Sequence, residues 1–478
     1  MAATLPAEAL RRAPARLSVP ARSRDARRRR SACAALLLAA LVLASGGCAT
    51  YSERLQDARY AADRGAYPEA LDRVNRLIGA DSIEEAPDDW TGNHPLAVLE
   101  RGVLLQAEGR YDLSARDLSE ADSKIEIIDL STDAIGKIGE YVYSGSSATY
   151  KASPTERLAL NGLNMMNFLA QGDLSGAAVE ARRFTNARDT LTSVGLDATG
   201  HFGAYLAGFV FERLGEGDRA LRYYEEALAA GRLESLRAPV VRLARLNPYR
   251  GPRLEALLAD SNGSSGTNVA SAAPPSEILT VVALGRVPYK VPERVGIGAA
   301  VGIAGTYITG NPGILERSVL KVLVYPELKE SGYRARNAQV RVDGAPASLE
   351  PVSAIGADIR REYQLIKPRI MGAAITRMIT RALAAEGLRA AGNEAGGDAG
   401  PIVGLLAALF AEGSLVALDK PDTRSWTFLP DQVAISRRTV RPGDHEVEVR
   451  VDGVGVVRTV PVHVPEGGFG VVVVTVPR

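Results

Sequence analysis

The sequence predicts a multidomain α+β protein. An N-terminal array of degenerate helical hairpins covers residues 48–258, and a C-terminal α+β domain rich in antiparallel strands covers 278–478. Three observations predict this. Ala, Leu, Arg and Glu dominate residues 51–258, with apolar positions three and four apart between short Gly breaks, which is helical spacing. Residues 259–277, ADSNGSSGTNVASAAPPSE, have the composition of a flexible linker. Beyond them, β-branched runs ended by Gly or Pro replace the helical period.

The chain begins with an Arg-rich segment, Arg27 to Arg30, followed by the 13-residue apolar run Ala32 to Ala44 and the small residues Ser45-Gly46-Gly47. This is the layout of a secretory signal, and the run is too short to span a bilayer as a helix. A start at Val19 would give the leader an ordinary length. Leu43-Ala-Ser-Gly-Gly-Cys48 resembles the lipobox of bacterial lipoproteins. The resemblance implies that residues 1–47 are removed and that Cys48 becomes the acylated first residue. It would carry a thioether-linked diacylglyceryl group and a further acyl chain such as palmitate, and more than one chain anchors durably. Ala49, rather than Asp, after the cysteine implies an outer-membrane lipoprotein of the bacterial cell envelope, facing the periplasm.

The leader holds nine Arg against Glu8 and Asp25, so residues 48–478 carry 48 basic and 54 acidic residues, a net −6. No nucleic-acid footprint follows from that balance. Cys33 leaves with the leader, so the remaining cysteine is the acylated one; disulfides and a cysteine zinc site are excluded.

Gly203 to Arg232 forms the clearest hairpin. Ala207, Gly208 and Phe211, then Ala220, Tyr224 and Ala227, fall on one face of each helix, with Gly215 to Asp218 as the turn. Gly208 and Ala220 let the helices approach closely, and Tyr224 is a candidate partner contact. The spacing resembles a tetratricopeptide repeat, which implies a TPR-like α-solenoid with a concave surface. Weaker units surround Tyr67–Ala70, Tyr111–Ala115 and Leu163–Arg183; Ala70, Ala115, Ala178 and Ala220 align at unequal intervals, so the units carry insertions. The widest, Ile125 to Thr155, reads as a loop or short strand pair.

Glu156 with Asn167–Asp173, Val179–Arg183 and Tyr205–Gly215 is similar to an uncharacterised family of bacterial TPR-containing lipoproteins. That resemblance makes Glu180, Arg182 and Arg183 candidate partner contacts; the same charges at helical spacing also suit pairing along a solvated face. The stretch Pro421 to Pro430 is similar to the same family. Within it Asp422 and Arg424 suit a local ion pair and Trp426 a buried anchor, with partner binding as the second reading.

Strands are expected at Ile278–Leu284, Val319–Tyr325, Ala338–Gly344 (closing in an Asp-Gly turn), Ser425–Phe428, Gln432–Ser436, Asp444–Val451, Val454–Val464 and Phe469–Val476. Helices are expected at Ile359–Leu388 and Ile402–Leu418, with a Gly/Ala loop at Ala390–Gly400 between them. The Gly-rich apolar stretch Val295–Ile308 reads as a flexible loop covered by the sheet, with a segment that docks on membrane or a partner as the second reading.

The sequence offers no catalytic, cofactor or metal motif: no H-E-x-x-H, G-x-S-x-G, G-x-x-x-x-G-K or dinucleotide fingerprint. The expected function is therefore non-enzymatic: a scaffold that binds envelope proteins, held to the membrane through Cys48. The alternative is an envelope glycan-binding protein or hydrolase acting through the strand-rich part. Helices begin within about ten residues of Cys48, so they are expected against the membrane, with the part beyond the linker free to reach.

Overall fold

The computed structural model describes residues 50–127, 150–193, 200–262, 274–313, 322–332, 335–395 and 421–478. The leader with Cys48, the centre of the 125–155 insertion, most of the linker and the expected helix at 402–418 lie outside the described residues. The secondary structure is mixed α and β.

The first half is helical: α1 (Tyr51–Arg54), α2 (Gln56–Asp63), α3 (Tyr67–Ile78), α4 (His94–Ala107), α5 (Tyr111–Asp122), α6 (Pro154–Ala170), α7 (Leu174–Ser193), α8 (His201–Arg213), α9 (Gly217–Ala227), α10 (Arg237–Leu246) and α11 (Pro252–Asn262). Consecutive helices pack in pairs, α2 on α3, α4 on α5, α6 on α7 and α8 on α9. All four turns close in the same way. Gly65, Gly109, Gly172 and Gly215 each take φ between +73° and +78°, a region that costs glycine no steric penalty. The following amide in each turn donates to a carbonyl five residues back, as Glu216 does to Phe211 and Asp173 to Phe168. The aligned alanines 70, 115, 178 and 220 are all buried. At Gly208 the close approach is to a ring: a Cβ there would meet Tyr224 at 2.5 Å.

The ends of the 125–155 insertion pair as two-residue parallel strands, β1 (Glu126–Ile127) and β2 (Lys151–Ala152). The second half supplies β3 (Glu277–Leu284), β4 (Tyr289–Gly296), α12 (Ile297–Ala304), β5 (Val322–Lys329), β6 (Ala338–Val342), β7 (Ala345–Ala347), β8 (Glu350–Ser353), α13 (Ile355–Ala395), β9 (Gln432–Thr439), β10 (Gly443–Val451), β11 (Val456–Val464) and β12 (Phe469–Val476). Two four-stranded sheets form, in the orders β12-β3-β9-β8 and β11-β10-β6-β7. Their pairs are antiparallel except β12 with β3, which is parallel.

The sheet containing β3 is the middle of three layers. On one face Ile278, Val282 and Leu284 pack with Val340, Val447, Val449 and Val474 of the two sheets. On the other, Leu279, Val281 and Ala283 join Val433 and Ile435 in one hydrophobic cluster with the helices. That is why β3 reads EILTVVAL, with every residue buried: a strand covered on both faces cannot alternate. Ala49–Arg478 is accordingly one compact unit. The expectation that the part beyond the linker is free to reach is corrected, because half of its central sheet is covered by the helices.

Other expectations change in detail. Residues 295–308 are not a loop: α12 packs on α13 through Ala300 and Ala304, while Gly298 and Gly302 face open space. The long helix keeps Ile370, Ala374, Met378 and Ala382 on its buried face but extends to Ala395, through part of the expected Gly/Ala loop. β5 runs through Pro326, which lies opposite Pro292 in a two-stranded ribbon; both strands are edges, where a missing N–H is tolerated. Asp343-Gly344 makes the expected tight turn, with both residues at positive φ. Ser425–Phe428 is not a strand, for a reason that belongs to the seam between helices and sheet.

Candidate functional site

The seam is held by buried carboxylates from the helical layer. Glu100 of α4, fully buried, accepts from the backbone N–H groups of Thr427 and Phe428, each at 2.7 Å. Glu156, at the third position of α6, accepts from the Trp426 N–H at 3.0 Å and from the Tyr150 hydroxyl. It also closes a capping box with Ser153. These side chains take the donors that a neighbouring strand would have taken, so 425–428 turns instead of extending. Burial pushes the Glu100 carboxyl up to about 8, despite the two N–H donors that favour its ionised form. Glu362 of α13 bonds the N–H and hydroxyl of Thr155 and is raised to about 7 by the same desolvation.

Farther along the seam the charges are paired. Arg437 of β9 bonds Glu212 of α8 at 2.7 Å and Glu277 of β3 at 2.6 Å, all three side chains being buried. Arg242 pairs with Glu212, and Arg213 with Glu277. The Tyr224 hydroxyl donates to Glu212 at 2.5 Å and accepts from Arg437 at 3.0 Å. Burial pushes the Glu212 carboxyl up, but Arg437 and then Arg242 outweigh it and hold it below the ordinary range.

The candidate partner contacts fall mostly inside these structures. Tyr224 is fully buried in the arginine network. Glu180 is buried, bonded by Asn161 and by Arg183, with Arg182 and Arg183 exposed beside it. Asp422 and Arg424 form the expected ion pair at 2.6 Å, with side chains 6% and 5% exposed, and Trp426 is fully buried. Tyr224, Glu180, Asp422, Arg424 and Trp426 thus make their contacts within their own chain, with little side-chain surface exposed. Arg182 and Arg183 alone remain accessible.

Among the described residues, two clefts at the surface bring these layers together. One, about 370 Å³, lies where the α6–α7 turn meets the edge strands β11 and β12, with Tyr111, Gln171, Val460, His463 and Val471 among its lining. There the Tyr111 hydroxyl donates to the Val473 carbonyl at 2.8 Å. The other, about 480 Å³, lies between α1–α2 and the β4–β5 ribbon and is lined by Arg59, Tyr60, Asp63, Arg286, Tyr289 and Lys329, among others. Neither cleft was visible in the sequence, since each is assembled from segments far apart in the chain. The nearest signal was the isolated Arg286 directly after an eight-residue apolar strand and a glycine.

Among the described residues no group of three or more His, Cys, Asp or Glu is placed to hold a metal ion, and no helix is long and apolar enough to cross a membrane. His445 is bonded to Asp343 at 2.7 Å and His463 to Asp444 at 2.6 Å. No protein-family model, no curated protein and no solved structure matches the chain.

Proposed function

We propose that the chain is a non-enzymatic scaffold of the bacterial envelope, a TPR-like lipoprotein anchored through Cys48 and binding an extended segment of another envelope protein. The observation that carries the reading is the cleft between the α6–α7 turn and the edges of β11 and β12. Edge strands present unpaired main-chain groups, and a peptide laid along them gains backbone hydrogen bonds while side-chain pockets set its specificity. Val460, Val462 and Val471 supply apolar pockets there, and Gln171 and His463 polar ones. The four identically closed hairpins support the TPR-like reading of the helical layer.

The alternative, a glycan-binding protein or hydrolase, draws on the second cleft, where carboxylates lie beside tyrosines. Each of those carboxylates is already engaged. Glu53 accepts from the Thr50 N–H, Asp63 from Arg286 and Glu330 from Arg360, whose hydrogen bonds hold Glu330 below the ordinary range. A general acid needs the opposite shift, so the scaffold reading is preferred.

A photo-crosslinking residue at Val471 of the intact lipoprotein, irradiated in its own envelope, tests this. The expected outcome is one envelope protein recovered reproducibly from Val471 and not from a control position such as Arg341. Failure to capture any protein would sink the scaffold reading. Changing Cys48 to Ser is expected to release or mislocalise the chain; membrane retention at the processed size would contradict the anchor.

A further inference from the structure

The second cleft brings three cations, Arg59, Arg286 and Lys329, beside three carboxylates, Glu53, Asp63 and Glu330, and the pairing between them is incomplete. Its three carboxylates are taken: Asp63 by Arg286 Nη2 at 2.6 Å, Glu330 by Arg360 at 2.7 and 2.8 Å, and Glu53 by the Thr50 N–H at 2.6 Å. Among the described residues no carboxylate lies within ion-pair distance of Arg59 of α2 or Lys329 of β5. The Arg59 guanidinium lies over the Tyr289 ring at 4.0 Å, and its Nη1 has no hydrogen-bond partner. Arg286, with its side chain 2% exposed, leaves its Nε unpartnered in the same way. The strand register sets Lys329 directly opposite Tyr289, the ring on which Arg59 stacks. Burial lowers the proton affinity of Arg59; Tyr289 beneath it and Glu100 act against that, and the neighbouring Arg286 adds to it.

We propose that this cleft is a phosphate-binding site, with Arg59, Arg286 and Lys329 as its cationic ligands and Tyr289 as its floor. Buried N–H donors without acceptors are costly, and an oxyanion in this cleft would offer them an acceptor. The donors come from three separate side chains on α2, on the turn after β3 and on β5. Convergent single donors suit the oxygens of a tetrahedral phosphate; a planar carboxylate is better matched by one guanidinium fork. Val291 and Pro292 continue the wall as apolar surface, which suits a phosphate ester with an uncharged neighbour. Such a phosphate comes from a phospholipid headgroup or from a soluble phosphate. Tyr51, the first residue of α1, stands three positions after Cys48, but the site itself does not depend on the chain being lipidated.

The full chain in detergent, titrated calorimetrically, tests the proposal. The probes are inorganic phosphate, dihexanoylphosphatidylglycerol below its micelle concentration, and acetate at matched ionic strength. Saturable binding of at least one phosphate probe is expected. Arg59→Gln should weaken it about tenfold and the exposed Lys329→Gln about threefold, in keeping with loss of a charge-assisted donor. The Lys329 variant guards against Arg59→Gln acting through folding. Tighter binding of the short-chain lipid identifies a headgroup as the natural source, and equal binding of the two identifies a soluble phosphate; both uphold the site. It is overturned if neither phosphate probe saturates, if acetate binds as tightly, or if both variants bind like the parent.

Discussion

The two ends of the helix–sheet seam bury carboxylates by opposite means. At Glu212 the acid is fully buried among arginines, and Arg437 ties it to Glu277 of the middle sheet. At Glu100 no cation among the described residues approaches within ion-pair distance, and the carboxyl faces two backbone N–H groups of the 421–430 segment. The first acid stays ionised far into the acid range, while the second is held near 8 by desolvation and is neutral at pH 7. One fold thus joins its layers with a charged network at one end and a hydrogen-bonded neutral acid at the other. The difference lies in what faces the acid: the Arg437 guanidinium of β9 at Glu212, two backbone N–H groups at Glu100.

The same substitution at both positions is the sharpest way to break the comparison. Glu212→Gln leaves Arg213, Arg242 and Arg437 facing Glu277 alone in a buried site. Removing one partner of a buried charge network typically costs about 3–5 kcal/mol. Glu100→Gln turns one of the two accepting oxygens into a donor and leaves the Thr427 or Phe428 N–H unpaired, a cost of about 1–3 kcal/mol. It escapes the protonation that the parent acid must undergo on folding at pH 7, about 3 kcal/mol, so its net effect is expected near zero or slightly stabilising. Urea unfolding of the two variants measures both; equal losses would show that the two ends are held in the same way. Glu100→Ala lies between them. It orphans the Thr427 and Phe428 N–H groups and opens a cavity, for a loss of about 2–4 kcal/mol near pH 5, where protonating the parent acid costs little, and faster hydrogen exchange confined to 425–430 would mark its origin.

Local chemistry in the sequence indicated the elements and said little about the seam. The glycines at 65, 109, 172 and 215 mark turns because a positive φ is a local demand, and strands β9 to β12 follow from alternation and turn residues. The Asp422–Arg424 pair is two residues apart and so was legible too. By contrast, Glu100 and Thr427 are 327 residues apart, and Glu212 and Arg437 are 225 apart. Nothing near Glu100 in sequence distinguishes it from a surface glutamate, and on a helix a charge is ordinarily solvated. Linker composition at 259–277 marked a change of secondary structure correctly. It carried no information about whether the parts on either side share a core. The fully apolar run of β3 did carry that information, since a strand buried on both faces needs a layer on each side.

The two ends should also fail at opposite ends of the pH scale. Glu212 has a depressed folded-state value, so its contribution is present above the unfolded carboxyl value of about 4.5 and is lost as pH falls through the folded one. Glu100 has a raised value, so its contribution is present in full below about 4.5 and declines as pH rises toward about 8, where the folded acid ionises. Glu362, raised to about 7 on the same side of the seam, adds to that alkaline loss. From pH 6.5 to 9 the Glu100 term alone removes about 2 kcal/mol, since one group changes stability by at most about 1.4 kcal/mol per pH unit. Hydrogen exchange at both limits should therefore loosen 425–430 first in alkali and the β9 region around Arg437 first in acid. Glu100→Gln should flatten the alkaline limb of the stability profile and leave the acid limb in place. An alkaline limb unchanged in that variant would mean that Glu100 is already ionised at neutral pH, with the Thr427 and Phe428 amides outweighing its burial.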